Sequence, residues 1–162
     1  MSELVAVDDD GEFSLVHSGE DPLVIRAKIM QLKDELMALP GEHIELPVEH
    51  EFAAGMYMRK LFIKKGTFLI GKIHRKECIN IVAQGDISVL TETGSKRVKA
   101  GFTVVSPAGI QKVGYAHEDT IFINVFLTNE TDIEKIEDDV SCESYEALEI
   151  GNLITEGVTL CQ

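Results

Sequence analysis

Lys72, His74 and Cys78 fall within the stretch GTFLIGKIHRKECINIVAQG, residues 66–85, and Lys112 and His117 within PAGIQKVGYAHEDT, residues 107–120. Side chains alternate across a strand, so positions 72, 74 and 78 share one face of a continuous one. An imidazole and a thiolate are ligands for zinc or another thiophilic ion, and His74, Cys78 and His117 are the candidate metal set. Two ammonium groups beside an imidazole serve a different purpose, and Lys72, His74, Lys112 and His117 are the candidate ligand-binding set for a small anion. His117 lies five residues beyond Lys112, and an odd offset on an unbulged strand points the two apart, which counts against the metal trio. The bland alternative stands beside both: cysteine is a common core residue, and one barrel histidine is often only a hydrogen-bonded interior group.

Other chemistry is thinner. In YAHEDT, His117 oriented by Glu118 or Asp119 has the makings of a general base, although neighbours on a strand point to opposite faces. His50, between Glu49 and Glu51, has the same ambiguity. No G-x-S-x-G elbow, Walker-type lysine loop or H-E-x-x-H pattern occurs, so catalytic residues stay unassigned and the chain is read neither as an enzyme nor as a non-enzyme. Arg59, Lys60, Lys64, Lys65, Arg75 and Lys76 would extend a basic patch toward the mouth of any pocket holding the lysines.

The elements that must position these residues are short and mostly extended. From residue 43 onward HIELPVEHEF, MYMRKLFI, TFLIGKIH, CINIVAQG, ISVLTE, KRVKAG, FTVVSP and TIFINVFL are β-branched or aromatic runs divided by Gly, Pro or Thr-Gly turns. Their even spacing predicts an antiparallel sandwich or barrel over residues 43–128. Before it, residues 1–20 read as a flexible acidic arm. Residues 21–42 carry Asp21-Pro22 as cap and first turn, then Ile25, Ile29, Leu32, Leu36 and Leu39, one apolar helical stripe for packing on the barrel or on a second copy. Residues 129–162 open with Thr131 and Glu134 as a capping box for a short helix, followed by a tail.

Composition limits the partners. The 162 residues suit one domain, and 28 Asp plus Glu against 15 Lys plus Arg give a net charge of −13, which argues against nucleic-acid binding. Cys78, Cys142 and Cys161 are odd in number and lack C-x-x-C spacing, so reduced thiols are expected. No apolar run approaches the ~20 residues of a membrane span, and the N-terminal residues lack a signal-peptide pattern, so the expected location is cytoplasmic.

With its frame of glycines and prolines the chain resembles the cupin superfamily, whose motifs read G-x5-H-x-H-x3,4-E-x6-G and G-x5-P-x-G-x2-H-x3-N. The first frame here runs Gly66, Lys72, His74, Cys78, Gly85 and the second Gly101, Pro107, Gly109, Lys112, Ala116. The similarity covers roughly residues 45–127 and is closest in kind to small cupin-like proteins of phages and prophages, which would place the protein in a host cytoplasm. It implies a mainly β, cupin-type jelly-roll barrel with an N-terminal helix and a short C-terminal helix. It also implies that, of the four ligand positions, only His74 survives, and the expected cofactor is either none or a divalent transition metal in a rebuilt site. Three functions follow as expectations. The first is a binding protein for a small anionic metabolite, sequestering a host metabolite or signal. The second is a metal-dependent isomerase, lyase or oxygenase, and the third a host-interaction or assembly accessory protein. A homodimer or higher homo-oligomer, with the segment before residue 43 contributing, is the expected assembly.

Overall fold

The structure is a computed structural model, and it describes residues 5–41 and 43–149. The elements that position the site follow one another as α1 (Pro22–Ala38), β1 (Val48–Ala53), β2 (Met56–Ile63), β3 (Phe68–Ile70), β4 (Ile73–His74), β5 (Cys78–Gln84), β6 (Asp86–Thr91), β7 (Gly94–Lys99), β8 (Thr103–Ser106), β9 (Val113–Ala116), β10 (Thr120–Leu127), α2 (Ile133–Val140) and β11 (Ser141–Cys142). A five-stranded sheet in the order β1-β2-β10-β5-β8 faces a four-stranded sheet in the order β3-β9-β6-β7, and β11 pairs with β4 at one end. Every pairing is antiparallel. The fold is the mainly β jelly-roll type expected from the sequence, with a helix before the barrel and a short one after it.

Alternation within the strands builds the interior. On β2 the inward series is Tyr57, Arg59, Leu61 and Ile63, and register pairs these with Phe126, Asn124, Phe122 and Thr120 of β10. Ile63, Val82, Ile87, Val98 and Ala116 form the dry centre between the sheets, joined by Leu61, Leu69, Val89, Phe102 and Phe122. A second cluster closes one end, where Ile136 and Val140 of α2 pack on Tyr57, Cys78 and Phe126. Burial of each such side chain stabilises the fold by roughly 1.5–3 kcal/mol.

The outer face of the four-stranded sheet is covered by the chain's own N-terminal part. Ile25, Ile29 and Leu32 of α1 pack with Val5 and Phe13 on Leu90 of β6 and Val113 of β9. Asp21 caps α1 by accepting from the Leu23 N–H at 2.8 Å, with Pro22 in the first turn, as its sequence indicates. The segment read as a flexible arm is instead pinned from Val5 onward. The Val5 and Phe13 side chains are buried, and the Arg97 guanidinium donates to the Asp9 carbonyl at 2.7 Å. Two apolar residues among acidic ones were enough to anchor a segment whose composition reads as solvated. The outer face of the five-stranded sheet leaves Ile79, Val105 and Leu127 exposed. No helix among the described residues is long and apolar enough to cross a membrane.

Two details depart from the pattern read in the sequence. TFLIGKIH is not one strand: it breaks after Ile70 and resumes at Ile73, with Gly71 and Lys72 outside both β3 and β4. The cap of α2 is Asp132, not Thr131, its carboxylate accepting from the N–H groups of Glu134 and Lys135. Residues 150–162, including Cys161, lie outside the described residues.

Candidate functional site

Toward the end closed by α2, the inward faces of several strands turn polar. Arg59 of β2 pairs in register with Asn124 of β10, and Asn124 pairs on its other side with Asn80 of β5. Cys78 and Ser106 face each other across β5 and β8. Asn80 is the hub of this row. It accepts from Ser106 Oγ at 2.5 Å and donates from Nδ2 to Asn124 Oδ1 at 2.6 Å and to Cys78 Sγ at 3.4 Å.

The short strand β4 brings His74 to the same place. Its N–H donates to the Ile110 carbonyl and its carbonyl accepts from Gly109 N–H, which ties the segment of the first glycine frame to that of the second at 2.9 and 2.8 Å. The ring lies edge-on to Phe126, with Nδ1 3.5 Å from Cys78 Sγ. Lys112 enters from the opposite sheet, in inward phase with Gly114 and Ala116 of β9. Its backbone carbonyl accepts from Gly71 N–H at 2.9 Å.

Electrostatically this cluster is cationic and lacks a carboxylate partner. Lys112 Nζ and Arg59 Nε are both buried and hydrogen-bond to nothing among the described residues. Neither side chain takes part in an ion pair there. Burial, with Lys112 and Arg59 adding repulsion, holds the His74 imidazole neutral, its pKa pushed down to about 3. Burial pushes the Cys78 thiol up, against the opposing pull of Lys112 and of the Asn80 hydrogen bond, so the sulfur keeps its proton at neutral pH. Burial also lowers the Lys112 ammonium below its ordinary value.

Of the residues singled out by sequence, His74, Cys78 and Lys112 come together, while Lys72 and His117 do not join them. Lys72 continues the outward series of Phe68 and Ile70 on β3, half exposed, with its ammonium 3.4 Å from Glu143 and 4.0 Å from Glu137, while the break between β3 and β4 lets His74 face inward. His117 sits beyond β9 on the outer side, its Nε2 2.7 Å from Ser88 Oγ and its ring edge-on to Tyr115. Burial and Arg97 lower its pKa while Asp86 opposes them. Neither Glu118 nor Asp119 hydrogen-bonds its ring in the described structure. His50 Nδ1 lies 2.7 Å from the Tyr57 hydroxyl on the edge strand.

The basic patch expected around the mouth is mostly neutralised. Lys60 pairs with Glu51, Lys64 with Asp119 and Lys76 with Asp139, and Arg75 donates to the carbonyls of Ser141 and Ala147. Arg59 is the member of that group that points inward. Sequence reasoning missed this orientation, and missed Asn80, Ser106 and Asn124 altogether. The signal was present: in MYMRKLFI the apolar phase Tyr57, Leu61, Ile63 puts position 59 on the buried face.

The cluster does not fit a divalent metal. His74 offers a lone pair, but Cys78 is held as a thiol, and Lys112 and Arg59 bring positive charge and only donors. Among the described residues no three His, Cys, Asp or Glu side chains converge to hold an ion.

No protein-family model matches the chain, and no curated protein does. Solved structures are similar to it. KdgF from Halomonas sp. shares 19% identity over 60% of this chain and 93% of its own, with a TM-score of 0.48. A Cupin 2 conserved barrel domain protein from Salinispora arenicola shares 15% over 57% and 91%, at 0.45. A salicylate 1,2-dioxygenase from Pseudoaminobacter salicylatoxidans shares 13% over 64% of this chain but 31% of its own, at 0.47.

Proposed function

We propose that the barrel interior binds a small anionic metabolite between Arg59 and Lys112, with Asn80, Asn124, Ser106 and neutral His74 supplying the polar wall. The observation that carries this reading is the pair of buried nitrogens, Arg59 Nε and Lys112 Nζ, with no partner among the described residues. A buried cation left unpaired costs several kcal/mol, and a bound carboxylate or phosphate removes that cost. Arg59, Lys112 and His74 are each partly, not wholly, buried as residues. Anion capture of this kind suits sequestration of a metabolite, in keeping with the phage-type resemblance of the sequence.

Calorimetry with oxalate and inorganic phosphate tests the reading. Lys112→Ala and Arg59→Gln each weaken binding by about tenfold or more, since each removes a desolvated charge. Lys72→Ala leaves it unchanged, because that ammonium faces Glu143 outside the barrel. Equal binding in all three variants overturns the site.

A further inference from the structure

Resting on the anion-binding reading, we propose that Lys112 forms a Schiff base with the carbonyl carbon of a small 2-oxo acid whose carboxylate lies against Arg59. The two buried cations are chemically unequal. A guanidinium stays charged in any protein environment and presents a planar fork suited to a carboxylate. A lysine amine in a desolvated site is a usual way to obtain a nitrogen nucleophile.

The surroundings of Lys112 make its free amine less costly to reach than that of a surface lysine. Its neighbours Cys78 and His74 are both held neutral, and no carboxylate or backbone carbonyl among the described residues accepts from its Nζ. Burial disfavours the ammonium form, in agreement with that geometry. A lysine serving only to bind anions gains from a carboxylate or carbonyl that keeps it protonated, as Lys60 has in Glu51 and Lys28 has in the Leu15 carbonyl. Lys112 has neither.

The chemistry balances without a co-reactant. The amine lone pair attacks the carbonyl carbon, an N–C bond forms, and the oxygen takes one amine proton to give a carbinolamine. The hydroxyl then departs with the second amine proton as water while the C=N bond closes. One water is released, nothing is oxidised or reduced, and the imine is returned by hydrolysis. Arg59 holds the adjacent carboxylate throughout, which places the carbonyl beside the amine and raises its effective concentration.

The test is reductive trapping. The full chain is incubated with pyruvate and sodium cyanoborohydride, and modified lysines are located by peptide mass mapping. Lys112 is expected to be labelled in preference to surface lysines such as Lys64 and Lys72, with excess oxalate suppressing the adduct. Arg59→Gln is expected to reduce labelling by about tenfold. Lys112→Arg keeps the charge and is expected to lose the adduct, and the mapping on the unsubstituted chain stands even if that variant fails to fold. Labelling spread evenly over the surface lysines overturns the Schiff base. If oxalate binding is retained in that case, anion capture survives; if it is absent too, both fall.

Discussion

Asn80 and Asn124 meet across β5 and β10, the amide of the first donating to the carbonyl oxygen of the second at 2.6 Å in the barrel interior. With Ser106 Oγ donating to Asn80 Oδ1, both amide hydrogens and the oxygen of the hub are engaged, and among the described residues the fully buried side-chain donors left without a partner are Arg59 Nε and Lys112 Nζ. Asn80→Ala removes the hub and leaves Ser106 and Asn124 unpaired at buried positions, which should destabilise the fold by about 2–3 kcal/mol. Urea unfolding measures it, and a loss indistinguishable from zero removes the network from the account.

Lys112→Met is expected to have the opposite sign. The thioether side chain has nearly the volume of the lysine stem and carries no charge, so the variant is stabilised by about 1–3 kcal/mol in the absence of ligand. Thermal or urea unfolding of the ligand-free protein detects the gain. A marked loss of stability instead means that Lys112 has a partner holding it in place.

His74 gives a pH dependence. Its imidazole titrates near 6.5 in the unfolded chain and at about 3 when folded, chiefly through burial. Between those values the unfolded chain holds a proton that the folded chain refuses, so falling pH withdraws stability, by up to about 1.4 kcal/mol per pH unit. Above 6.5 both states are neutral and the contribution vanishes. His74→Gln should lose that slope, and the stability difference between variant and parent, followed by urea unfolding through the same window, reads it directly. Parallel curves contradict a neutral, buried ring.

Most of the barrel was legible in the sequence, because short β-branched runs, turn residues and the glycine frame are local signals. Gly85, for example, takes a φ of +94° between β5 and β6, a conformation that favours glycine. What escaped was set by non-local events. β9 is missing from the runs read as strands, although a strand through Lys112 and His117 was considered, because VGYA is only four residues long and holds a glycine. Lys72 was misplaced because the break between β3 and β4 separates its phase from that of His74, leaving it in the outward series of Phe68 and Ile70, and Gly71 alone does not announce the break. Lys112 was found because it stands at the ligand position of the second glycine-proline frame, and His117 was lost from the site by the odd offset that already stood against it. The N-terminal arm deceived by composition: Val5 and Phe13 are buried despite the acidic run between them.

The pinning of that arm can be tested at Gly11. Its φ is +89°, and a Cβ there would lie 2.5 Å from Ser88 Oγ and 2.8 Å from the Arg97 side chain. Beneath it Arg97 grips Asp86 through two hydrogen bonds, at 2.9 and 2.8 Å, while also holding the Asp9 carbonyl. Gly11→Ala should cost about 1–3 kcal/mol through backbone strain and the clash. Limited proteolysis should then cut within residues 5–20 faster than in the parent. Unchanged cleavage contradicts an arm locked onto the sheet.

The central claim is that two unpaired cations in the barrel interior await an anion, and anomalous scattering from a crystal soaked in bromide tests it most directly. The account predicts a bromide peak inside the barrel within hydrogen-bonding distance of both Lys112 Nζ and Arg59, absent in Lys112→Met. An interior without bromide, with those two nitrogens bonded to protein carboxylates or carbonyls, would contradict it.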